Sequence, residues 1–485
     1  MIAQPKAPNE KEIGMAPAST RFALAGLSLT VLLSSLNTSL VNVALPALTQ
    51  VFGTSTQAAQ WTVIAFVLAI TTLIVGAGRL ADIVGRKRLL LVGVALFTAA
   101  AGACALAPGL GWLVAMRFVQ GIGAAVMMAV SLAVIGDLAP KDKAGRTMGL
   151  LGSMSAIGTA LGPAIGGLLL AAFGWPAIFL INVPLGLATF ALLVRYLPPD
   201  RAPTAKLADF DVRGTVLLAL SLAAYALAMT RPRGGFGSVN LVLLGLALGG
   251  MTWFVRVQQS SRSPLVRTES LREGTLRSSL GMSLLVAAVM MSTLVVGPFY
   301  LTRALQVNAG TMGLVLSVGP LLAALVANPA GSLVDRIGTE WTTVFGLAGT
   351  GTGCLALAVM PESLGIVGYL FPVALMTVGY SLFQTANNTA VMRGAGPGQR
   401  GVVSGLLNLS RNLGLLTGAA FLGGVFGMMT GGEAGLGKES VALATRTTFA
   451  VATVFIGTAF VLGIRSRLAS LVAVASNAAA SPPDR

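Results

Sequence analysis

The chain has 485 residues, of which 55% are hydrophobic and 10% charged. A soluble domain carries about 25% charged residues, so this composition, with a mean hydropathy of +0.84, excludes a soluble globular protein. The net charge of +16 would suggest nucleic acid in a soluble chain, but here the basic residues sit at the edges of apolar runs, which excludes that partner.

The first 20 residues are polar, contain three prolines and lack a short apolar stretch with a small-residue cleavage site. They read as a cytoplasmic tail, 1–21, rather than a signal peptide. Apolar runs then follow at 22–44, 59–79, 89–107, 112–137, 147–172 and 176–196. Each has about the 20 residues a helix needs to cross ~30 Å of hydrocarbon, and together they make a first six-helix bundle, 22–197. The stretch 198–278 is a linker with two further runs, 212–230 and 239–258. Runs at 279–302, 311–334, 341–360, 364–391, 401–428 and 443–464 make a second six-helix bundle, 279–464, and 465–485 is a basic tail. The expected fold is an all-α integral membrane protein of about fourteen helices in the lipid bilayer.

Charge placement gives the expected orientation. Arg86, Lys87, Arg88, Lys141, Lys143 and Arg146 belong to alternate loops, whereas the opposite loops hold only Arg231, Arg233, Arg303, Lys438 and Arg446. By the positive-inside rule both termini are cytoplasmic, which requires an even number of spans.

Along the chain, the first motif is "GRLADIVGRKR" at 78–88, and a thinner copy, "GSLVDRIG", occupies 331–338. They share G-x-L-x-D-x-x-G at an offset of 331 − 78 = 253 residues, so the second half repeats the first after an inserted pair of helices. Gly78 permits close approach of a neighbouring helix, and Gly85 a tight turn. Asp82 can face the positive N-terminus of an adjacent helix, and Arg86 can reach Asp137 at the end of the fourth run. The reading is a gate contact that forms and breaks, marked in the second half by Gly331, Asp335 and Gly338. The plain alternative is ordinary turn charge obeying the positive-inside rule.

In the fifth run, Gly158, Gly162 and Gly166 recur every four residues and share one helix face, suited to tight packing. Pro163 removes a backbone hydrogen bond there. Of the 32 Lys and Arg, Arg117 and Arg411 alone lie deep in apolar runs; Arg117 is near enough to a helix end to snorkel, while Arg411 falls near the midplane. All 16 Asp and Glu fall in loops, tails or span ends. The remaining candidates for substrate or coupling are Asn37, Asn42, Gln120, Tyr300, Gln384, Asn387, Asn388 and Asn408, each of which either pins helices together or touches substrate. Cys104 and Cys354 fall one in each half and offer neither a disulfide framework nor a metal site. No metal, cofactor or nucleotide-binding loop is expected, and no catalytic residue, so the chain does not read as an enzyme.

The motifs resemble those of the major facilitator superfamily, and within it the fourteen-helix drug:proton antiporter family. "GRLADIVGRKR" is similar to the superfamily's loop between helices 2 and 3. "RFVQGIGAA" from Arg117 is similar to the helix 4 motif, and Gly149, Gly158, Gly162, Pro163, Gly166 and Gly167 to the helix 5 pattern G-x8-G-x3-G-P-x2-G-G. "IFLINVPLG" at 178–186 and "NLSRNLG" at 408–414 are similar to helices 6 and 13. The resemblance implies two six-helix bundles plus an inserted pair, and a monomeric secondary transporter in a bacterial inner membrane. Its function would be proton-coupled export of small amphipathic compounds, the helix 5 motif marking exporters. The runner-up is an importer or facilitator of a neutral or anionic metabolite. The chain departs from the family where "LNTSLVNVALP" places Asn37 for an aspartate and Ser39 for a threonine, where Pro176 stands for an arginine, and where "TEW" at 339–341 replaces the second basic cluster.

Overall fold

The computed structural model describes residues 17–138, 144–200, 211–230, 237–261, 274–394, 400–430 and 437–480. Every regular element among them is helical, as hydrocarbon requires of a chain that must satisfy its own backbone. In chain order they are α1, Pro17–Leu40, continued by a 3-10 turn and Leu45–Val51; α2, Thr56–Val84; α3, Arg86–Ala105; α4, Leu110–Leu138; and α5, Ala144–Phe173. Next come α6, Trp175–Leu180 with Asn182–Tyr196; α7, Val212–Thr230; α8, Ser238–Ser260; and α9, Gly274–Phe299, ending in a π turn. The run Ala309–Val359 breaks at Gly338, which divides it into α10 and α11. It is followed by α12, Gly365–Gly394; α13, Arg400–Thr417 with a π turn and Gly423–Met429; and α14, Lys438–Ala480.

Thirteen helices among the described residues are long and apolar enough to cross a membrane. The described apolar part of α5, Ile157–Phe173, is shorter, so the expected count of fourteen rests on that helix.

Local chemistry sets the boundaries. Ser55 accepts from the Ala58 N–H to start α2, and Asn308 accepts from Thr311 N–H to start α10, both ordinary N-caps. Gly85 and Gly338 have φ of 105° and 84°, a region only glycine enters freely, and each turns the chain from one helix into the next. Their offset is again 338 − 85 = 253 residues.

In the first half α1 packs on α5 and α6, α2 on α4, and α3 on α4 and α6; in the second, α9 packs on α13 and α14, and α12 on the α10–α11 run. The halves meet chiefly where α5 packs on α10. α7 and α8 pack on each other, with α7 also against α2 and α13. α8 leaves Leu241, Val242, Leu246, Leu248 and Trp253 exposed, a face that suits lipid and not water.

Candidate functional site

A cavity of about 300 Å³ lies between the halves, lined from α1, α2, α4 and α5 on one side and α9, α10, α12 and α13 on the other. Hydroxyls come from Ser35, Thr38, Ser39, Ser155, Thr159 and Thr377. Met128, Met290, Met291, Tyr369 and Tyr380 supply a polarizable apolar wall, the kind of lining that adapts to several shapes. Arg411 and Asn412 enter from α13, where Asn408, Arg411 and Asn412 share one face by their i, i+3, i+4 spacing. Arg411 is the one charged residue among the described residues of the lining, and it forms no hydrogen bond or ion pair with a described residue.

The cavity is sealed toward the end where α1 passes into α2. A Cβ added at Gly167 of α5 would sit 2.6 Å from the Ala309 carbonyl oxygen and 2.8 Å from Gly313 Cα of α10. Only glycine allows that crossing, and Gly167 follows the cavity-lining Thr159 by eight residues, ~12 Å along a helix. A second contact between the halves is made by Gln60 of α2, which donates to the Gly423 carbonyl of α13 at 3.1 Å. The glycine stripe of α5 has a different partner: Gly158, Gly162 and Gly166 lie against Leu32, Ser39 and Leu40 of α1.

The second intramembrane arginine lies outside the cavity. Arg117 is fully buried and does not snorkel. Its Nε donates to the Thr62 carbonyl at 2.8 Å, and its Nη1 to Gln120 Oε1 at 2.7 Å and to Asn37 Oδ1. Its guanidinium carbon lies 4.1 Å from the Phe66 ring centroid and 5.9 Å from that of Phe179, within cation–π range. Four helices, α1, α2, α4 and α6, thus converge on one cation whose acceptors are all uncharged. Asn37 Nδ2 and Gln120 Nε2 are left without partners.

At the opposite end, Asp200, beyond α6, accepts from the backbone N–H groups of Lys87 and Arg88 at 2.6 and 3.1 Å, placing a carboxylate on the N-terminus of α3. Lys87 Nζ donates to the Val194 and Leu197 carbonyls at 3.0 and 2.5 Å, capping the C-terminus of α6. This reciprocal clamp was not anticipated from sequence, although "PPD" after a span was its trace. Arg86 donates to the Ala133 carbonyl of α4 at 3.2 Å, four residues before Asp137. The side chains of Asp82 and Asp137 lie outside the described residues. No described atom lies within 4 Å of a Cβ placed at Gly78 or Gly331, the helix's own backbone aside, so no described residue makes the close approach expected at Gly78. In the second half Asp335 reaches Arg393 of α12 at 3.5 Å, with both side chains exposed, a pair of little energetic weight.

Of the ten substrate candidates, Arg411 alone lines the cavity. Asn37, Arg117 and Gln120 form the cluster above. Asn42 donates back to Thr38 and Ser39, Asn387 donates to the Ser279 carbonyl and ties α12 to α9, and Tyr300 packs beside Tyr369 at 5.6 Å. Asn388 is exposed, and Gln384 and Asn408 are part-buried outside the lining.

A family profile of the Major Facilitator Superfamily matches residues 27–419. The chain is 30% identical to the riboflavin transporter RibZ of Clostridioides difficile, over 82% of this chain and 86% of the relative. It is 31% identical to the multidrug resistance protein Stp of Mycobacterium tuberculosis, over 80% and 73%. Among solved structures, a bacterial homolog to the human lysosomal transporter Spinster, inward-facing and unoccupied, superposes with a TM-score of 0.70 at 16% identity, covering 93% of this chain and 98% of that one.

Proposed function

The chain belongs to the Major Facilitator Superfamily, as a multi-pass membrane transporter rather than an enzyme, and we propose that it exports small amphipathic compounds across a bacterial inner membrane. The observation that carries this reading is the cavity: walls from both halves, mixed hydroxyl and methionine lining, and a seal of glycine contacts at the end where α1 passes into α2. Rocking the halves about such a site would expose it alternately to the two sides. With both termini cytoplasmic, as the basic loops imply, the sealed end faces outward and the site is poised to load from the cytoplasm. Relatives named for multidrug resistance and drug efflux support export.

The resemblance implies antiport against protons. No described carboxylate lines the cavity, so this reading assigns no proton carrier to the substrate site. The named riboflavin transporter favours a second reading, a metabolite transporter on the same fold. The test is accumulation of a dye and antibiotic panel in a pump-deleted strain expressing the chain. Lower accumulation than in the empty-vector strain is expected; higher accumulation would support import and overturn the export reading.

A further inference from the structure

Two features of the cavity wall narrow what it can hold. Arg411 lines it without a partner among the described residues, and a guanidinium has only donors, so acceptors alone can satisfy it. The side chain is part-exposed, so its donors are available to the acceptors of a ligand. The second feature is where the hydroxyl protons go. Thr38, Ser39, Thr159 and Thr377 donate to carbonyls three or four residues back in their own helices. Toward the cavity they therefore present lone pairs. The wall combines one cationic donor, a set of acceptors, and methionine surface between them.

We propose that the cavity selects planar aromatic monoanions that also carry a hydroxyl or N–H donor. The acid group meets Arg411, the donor meets the hydroxyl oxygens of α1, α5 and α12, and the ring lies against Met128, Met290 and Met291. This rests on the export reading and narrows its substrate class. It also assigns the driving force. Among the described residues the lining holds no carboxylate or histidine, so binding has no proton carrier to work through there. A monoanion leaving an inside-negative cell moves down the membrane potential, tenfold for each ~59 mV, and a pH gradient is not required.

The experiment uses the full chain in lipid nanodiscs and in liposomes, with two probes of fixed charge on one ring system: 6-hydroxynaphthalene-2-sulfonate and 6-hydroxy-N,N,N-trimethylnaphthalen-2-aminium. The sulfonate is expected to bind about tenfold or more tightly than the ammonium, as a charge-assisted contact implies. Arg411→Gln should remove that preference, and Arg411→Lys should keep part of it. In liposomes the sulfonate should follow a potassium–valinomycin potential, reverse with its sign, and not respond to a pH gradient alone. Equal binding of the probes, binding of neither, a preference that survives Arg411→Gln, or flux that follows only the pH gradient would overturn the proposal. Strong export of the ammonium by cells would overturn it while leaving the export reading in place.

Discussion

Arg117 and Arg411 both fall inside apolar runs, one in each half, yet their surroundings differ in kind. An arginine at a helix centre costs ~2.5–3.5 kcal/mol on insertion scales. At Arg117 that cost is offset by Thr62, Asn37, Gln120 and the face of Phe66, and the residue is fully enclosed. Arg411 has no partner among the described residues, but its side chain is part-exposed and lines the cavity, where solvent can reach it and little of that cost falls. The first arginine spends its hydrogen bonds holding four helices together. The second keeps them for a ligand. Residue type and a place inside an apolar run do not separate scaffold from site; the fate of the donors does.

Four substitutions test that difference, in falling order of expected effect. Arg117→Ala leaves the acceptors of Thr62, Asn37 and Gln120 unpaired beside a void, which should cost ~3 kcal/mol or more. A steep drop in melting temperature in detergent is expected, and an unchanged one would contradict the scaffold role. Gly167→Leu drives a side chain into Ala309 and Gly313 of α10. Overpacking there should cost ~1–3 kcal/mol and lower transport, since the halves can no longer close at that end; normal flux would mean the seal does not form in the working cycle. Arg411→Gln should change stability by no more than ~0.5 kcal/mol while lowering anion transport about tenfold, and a large melting shift would place Arg411 with Arg117. Asn37→Asp should do least. The carboxylate would pair with Arg117 and not face the cavity, so the range of substrates measured in a resistance panel should stay the same.

That last expectation reverses what the sequence alone suggests. The motif "LNTSLVNVALP" puts Asn37 where the resembled family carries an aspartate, which suggests a site residue, and nothing in one helix shows that Arg117, eighty residues away, takes its oxygen. The spans, the 253-residue repeat and the positive-φ corners at Gly85 and Gly338 were legible because periodicity, charge bias and glycine spacing are local signals. The shared face of the α5 glycines was legible too, but not its division between α1 and, at Gly167, α10. The cavity hydroxyls were invisible for a physical reason: a serine or threonine in a helix bonds its own backbone whether or not its oxygen also faces a ligand. Asp200 escaped notice because its role depends on α6 ending beside the start of α3, a tertiary fact.

The most direct test places single cysteines at positions 411 and 117 in a chain whose buried Cys104 and Cys354 are replaced by alanine. Each protein in liposomes is then treated with a water-soluble methanethiosulfonate, with and without 6-hydroxynaphthalene-2-sulfonate. The account predicts rapid labelling at 411 from the side opposite the glycine seal, at a rate the sulfonate does not change, because the cysteine has replaced the cation that would hold it. It predicts no labelling at 117. Labelling at 117, or a shielded 411, would contradict the assignment of one arginine to the scaffold and the other to the site.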